Sequence, residues 1–165
     1  MNSIKFSTKY GLQDFYEMNK LNFLSSNWKY LFFVTGAIQT SFLLTGIAVR
    51  ESGAFVGVII NGFFALSFLT FPWTWLRWLA YGTYKKSPNF HDAYIWEIDE
   101  NGLRAENKFE KSDSKWSSFS NFRYNGRILL LYKTDRAYCF MFPKRLVTDD
   151  DWDRLLNLTK NKIVK

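Results

Sequence analysis

The sequence holds one cysteine, Cys139, and one histidine, His91, and that scarcity excludes the multi-ligand His/Cys clusters of zinc and haem sites. A lone thiol also forbids an internal disulfide and suits a reducing compartment. Gly-rich phosphate loops and nucleophile elbows are missing. The acidic run Asp149 to Asp151 lacks the alternating oxygens and glycine bend of a calcium loop, so it is read as charge placed at a helix start. Cys139 alternates with Tyr138 and Phe140 as a small apolar strand residue, and His91 sits beside Asp92 in a solvated linker. These absences leave no catalytic constellation, no metal and no cofactor to expect.

Charge is missing altogether from two long segments. Tyr30 to Val49 and Ala54 to Leu76 contain no Lys, Arg, Asp or Glu. About 20 apolar residues at 1.5 Å each span a hydrocarbon core, and both runs reach that length. Some 29 residues, many of them polar or charged, precede the first run, so it is read as a retained span rather than a cleaved signal. Two spans joined by Arg50, Glu51, Ser52 and Gly53 predict a transmembrane hairpin.

The net charge of +7 is concentrated around that hairpin. Eight basic and three acidic residues precede Ser87, leaving about +5 there and +2 in the remainder. Positive flanks and a neutral loop predict cytoplasmic termini in a multi-pass protein of the cell membrane. Trp28, Tyr30, Trp73, Trp75, Trp78, Tyr81 and Tyr84 form a matching aromatic belt. Membrane lipid accounts for the basic excess, and no nucleic acid is needed.

Small and amide-bearing residues recur inside the hairpin. Gly53, Gly57 and Asn61 lie on one face of the second span, and an antiparallel partner would bring Ser41, with Gln39 within a turn of it, near Asn61. These five residues are the predicted packing contact between the spans. Around the hairpin, the organisation reads as an N-terminal strand near Ser3 to Thr8 and an interfacial helix Leu12 to Leu24 (together 1–28), the hairpin (29–82, spans about 30–49 and 54–76), and a domain at 88–165.

After Pro88 the apolar period changes to two. Tyr94 to Asp99, a turn at Glu100-Asn101-Gly102 and the return from Leu103 to Phe109 read as a hairpin. A polar stretch, Glu110 to Lys115, leads to Trp116. Strands around Phe119 to Tyr124, Ile128 to Tyr132 and Ala137 to Phe142 follow, then a helix from Asp149 to Asn161 with acidic start and basic end. Trp116, Trp152, Leu155 and Leu156 are the predicted domain core. Lys144, Arg145, Arg123 and Arg127 could form a basic face toward lipid headgroups, or a merely solvated set of strand charges.

The predicted fold class is therefore an α+β membrane protein: a two-helix hairpin plus a small antiparallel barrel or sandwich closed by a C-terminal helix. Strands ended by one such helix resemble a pleckstrin-homology-like domain. The whole pattern resembles the YcxB-like protein family, through Trp116 with Phe119, the strand Ile128-Leu129-Leu130-Leu131-Tyr132, and Phe142-Pro143-Lys144-Arg145 before the closing helix. Phe119 stands where a branched aliphatic residue would fit that family. The resemblance implies a bacterial inner-membrane protein and supplies architecture without mechanism. The reading is a non-enzymatic anchor that binds lipid headgroups, a protein partner or a second copy; the alternative is an immunity or stress-protection protein acting against a membrane-active toxin.

Overall fold

The structure, a computed structural model, describes residues 3–49, 54–134 and 139–163. The Arg50 to Gly53 loop and the first residues of the expected last strand, Ala137 and Tyr138, lie outside them. The described elements are β1 (Ile4–Thr8), α1 (Leu12–Leu24), α2 (Trp28–Val49), α3 (Ala54–Lys86), β2 (Tyr94–Ile98), β3 (Gly102–Glu106), β4 (Lys111–Lys115), β5 (Phe119–Tyr124), β6 (Ile128–Lys133), β7 (Cys139–Pro143) and α4 (Asp149–Lys162). The chain divides into two compact units: Met1–Leu21 with Ala80–Lys165, and Asn22–Leu79.

The first unit is α+β, with two antiparallel sheets in the orders β1-β2-β3-β4 and β5-β6-β7. Alternation decides which faces pack: Tyr94, Trp96 and Ile98 of β2 are buried while Ile95 is exposed. β6 is the exception, because Ile128 to Leu131 are all buried and the strand is apolar on both faces. Trp96 meets Phe142 edge to face at 4.7 Å, joining the two sheets. α4 adds buried Trp152, Leu155 and Thr159, with half-buried Leu156 beside them. Thr148 caps it by accepting a hydrogen bond from the Asp151 N–H, and three aspartates occupy its first turn.

Three features depart from the sequence expectation. β1 pairs with β2 from Ile4 opposite Ile98 to Thr8 opposite Tyr94, so a domain begun at residue 88 would lack one strand of its sheet. Trp96 Nε1 donates to the buried Thr8 hydroxyl at 3.0 Å, and the buried Tyr10 hydroxyl donates to the Met141 carbonyl at 2.8 Å. Burial raises the Tyr10 pKa, and the phenol stays neutral. α1, expected along a membrane interface, buries Phe15 and Leu21 in this same core. Finally, the polar stretch Lys111–Lys115 is a strand. It carries one buried residue, Ser114, and a side chain at Gly102 would collide with the Ser114 carbonyl opposite, which is why glycine stands there.

The second unit contains α2 and most of α3. Four of their threonines and one amide are satisfied within the helices: Thr35, Thr40, Thr45 and Thr70 donate to carbonyls four residues back, and Asn61 donates to the Gly57 carbonyl at 2.8 Å. α3 runs on through Pro72 to Lys86, ten residues past the span read from the sequence. Among the described residues one helix, Val56–Lys86, is long and apolar enough to cross a membrane by length and composition.

Candidate functional site

A charge-lined cleft of about 540 Å³ in the folded unit lies between α1, the turn at Gly126 and the segment from Pro143 to Asp149. It gathers three of the four basic residues singled out in the sequence. Arg145 donates to Asp14 through two nitrogens, at 3.0 and 2.5 Å. Arg127 donates to Glu17 at 2.8 Å, and Lys144 pairs with Asp149 at 2.9 Å. The fourth, Arg123, lies 5.3 Å from the Tyr132 ring centroid on β5.

Burial separates these pairs into two kinds. The side chains of Asp14 and Glu17 are only 5% and 8% exposed, whereas Asp149 is 86% exposed. A carboxylate withdrawn from water needs a counter-charge and hydrogen bonds, so Arg145 and Arg127 are committed to holding α1 against the sheets. The bond to Asp14 raises the Arg145 pKa further above its already basic value. Asp14 also accepts the Gly11 N–H at 2.8 Å in the first turn of α1, where the helix dipole favours an anion. Three cations therefore face three anions across the cleft. The charges balance across the cleft, and two of the four basic residues read from the sequence, Arg127 and Arg145, are bonded to buried carboxylates.

A second cleft, of about 400 Å³, is lined by Tyr10, Phe90, Tyr94, Trp96, Phe140 and Met141, with Glu110 and Lys133 as its charged groups. Lys133 Nζ lies 5.1 Å from the Phe140 centroid. Cys139 also lines it, 3.9 Å from the Met18 sulfur, and burial pushes its thiol pKa up, which disfavours the reactive thiolate. His91 is exposed, its ring tilted against that of Tyr84 with centroids 4.4 Å apart. Among the described residues, no three of His, Cys, Asp and Glu stand together as metal ligands.

The domain-core residues are where their chemistry requires. Trp116 is buried and donates its indole N–H to the Asp99 carbonyl at 2.9 Å, and Trp152 and Leu155 are buried on α4. The helix-packing set is placed differently. Gly53 lies outside the described residues, a side chain at Gly57 would meet nothing within 4 Å, and Asn61 donates to the Gly57 carbonyl of its own helix. Close approach between α2 and α3 occurs at Gly36, where an added Cβ would lie 3.1 Å from Leu69, and at Gly62, 3.6 Å from Leu43. Phe32 stacks on Phe71 further along.

No curated protein matches the chain. The residues that carry the sequence resemblance, Trp116, Ile128 to Tyr132 and Phe142 to Arg145, all fall within a single family match. Residues 98–159, from the end of β2 through most of α4, match the model of the YcxB-like protein family, and over that segment the chain is similar to it.

Proposed function

We propose that the chain is an integral membrane protein that crosses the bilayer twice and presents its α+β unit, a pleckstrin-homology-like domain, at the cytoplasmic face as a non-catalytic binding module. One observation carries the reading. β1 and β2 are hydrogen-bonded neighbours in one sheet, yet α2 and α3 lie between them in sequence. Strands cannot pair through a bilayer, so Thr8 and Tyr94 share a side and the intervening chain crosses an even number of times. A membrane-spanning α3 then requires a second crossing, and α2, 22 residues long, is the helix available for it. The basic flanks orient the pair, with the folded unit inside.

Two antiparallel sheets of four and three strands followed by one amphipathic helix support the pleckstrin-homology-like reading. The test is topological. In a Cys139→Ser background, Ser52→Cys should react with an impermeant thiol reagent on intact cells, while Glu100→Cys should react only after permeabilisation. Labelling of both from outside, or of neither, would reject the double crossing.

A further inference from the structure

Among the described residues of the folded unit, the two most exposed large apolar side chains are Phe109, at 63%, and Ile95, at 61%. Strand register puts both at one end of the four-stranded sheet. Thr8 opposes Tyr94, Ile95 opposes Glu106, Glu106 opposes Lys111, and Phe109 sits in the turn that joins β3 to β4. The chain leaves that same end for α1, beginning at half-exposed Leu12, and returns to it from α3. Lys86, the last residue of α3, precedes Tyr94 by eight positions, a reach of at most about 28 Å. The opposite end of the sheet carries the polar turn from Asp99 to Gly102 instead.

The β3–β4 turn is held by the Asn107 side chain and backbone. Asn107 Oδ1 accepts hydrogen bonds from the Phe109 and Glu110 N–H groups at 2.8 and 2.6 Å, and the Asn107 N–H donates to the Glu110 carbonyl at 2.9 Å. This Asx turn keeps the Phe109 ring in solvent, with the Lys108 ammonium 5.6 Å from its centroid. Two acids flank the turn: Glu106, paired with Lys111 at 3.3 Å, and Glu110, which lines the aromatic cleft with Tyr94. An exposed aromatic with a lysine beside it matches the headgroup layer, where a ring sits at the acyl boundary and an ammonium meets lipid phosphate.

We propose that the β3–β4 turn is a membrane-contacting tip: Phe109 enters the headgroup–acyl boundary of the cytoplasmic leaflet, Lys108 contacts lipid phosphates, and Ile95 lies at the same surface. The partner is the bilayer that holds the chain's own helices, so the proposal rests on the membrane reading above. It gives the folded unit a second point of attachment beyond its helical connections, and hence a fixed orientation.

Spin labels in the full-length chain, in nanodiscs of phosphatidylethanolamine and phosphatidylglycerol with Cys139→Ser, test both layers. Nitroxides are placed singly at Phe109→Cys, Glu100→Cys and Phe64→Cys, and oxygen accessibility is compared with that of a water-soluble nickel complex. The expected oxygen-to-nickel ratio is highest at position 64, several-fold above the aqueous value at position 109, and aqueous at position 100. An aqueous ratio at 109 with a lipidic ratio at 64 would overturn the tip while leaving the anchor intact. Aqueous ratios at both would remove the membrane reading itself, and a lipidic ratio at 100 would contradict the one-ended orientation.

Discussion

Arg145→Ala should destabilise the folded unit although its side chain is half in water. The guanidinium makes two hydrogen bonds to Asp14, whose side chain is 5% exposed, so truncation leaves a buried carboxylate with the Gly11 N–H as its remaining partner in the site. Breaking a fully buried ion pair costs about 3–5 kcal/mol. Here Arg145 is 52% exposed and water can reach the vacated position, which reduces the cost to about 1–3 kcal/mol. At about 4 °C per kcal/mol, Tm should fall by roughly 4–12 °C. Lys144→Ala is the matched control, because its partner Asp149 is 86% exposed and such a pair is worth under about 1 kcal/mol. The assay is thermal unfolding of the full chain in detergent, followed by near-ultraviolet circular dichroism. Adding Asp14→Asn to Arg145→Ala should restore part of the loss, since a neutral amide does not need the cation. Equal melting of the Arg145 and Lys144 variants would refute the clamp.

Two further perturbations separate the structure from simpler readings. Gly36→Leu should destabilise the helical unit in detergent more than Gly57→Leu, because an added Cβ meets Leu69 at 3.1 Å at the first position and open space at the second; equal effects in thermal aggregation assays would contradict that packing. A fragment of residues 88–165 should fold poorly, since it lacks β1 and the Tyr10 and Phe15 side chains that the core encloses. A cooperative melt of that fragment matching the full chain would show that β1 is dispensable.

Local signals made much of the fold legible. The charge-free runs marked both long helices, period-two alternation marked β2 and β3, and the aspartate-first, lysine-last pattern marked α4. The strand at residues 111–115 was hidden because Lys-Ser-Asp-Ser-Lys carries no apolar alternation; it forms an edge strand by pairing with β3 across Gly102. β1 was visible as a short alternating segment, but nothing local indicates a partner beyond two apolar helices. The clamps were hidden for the same reason: Asp14 and Arg145 stand 131 positions apart, and at that separation surface and structural arginines look alike. In the hairpin, a small-residue stripe fixes a face and leaves the sliding register open. Gly36 and Gly62, seated against leucines, define the register that the structure adopts.

The central claim is that β1 and β2 pair in one sheet although two long helices lie between them in sequence. Ser7 and Ile95 are cross-strand partners with both side chains exposed, and antiparallel partners have Cα atoms about 4.5–5.5 Å apart, within disulfide range. Full-length Ser7→Cys/Ile95→Cys, with Cys139→Ser and in native membranes, should form an intramolecular disulfide under mild oxidation, seen as a mobility shift that reductant reverses. Failure to crosslink while each cysteine reacts freely with a permeant thiol reagent would contradict the account.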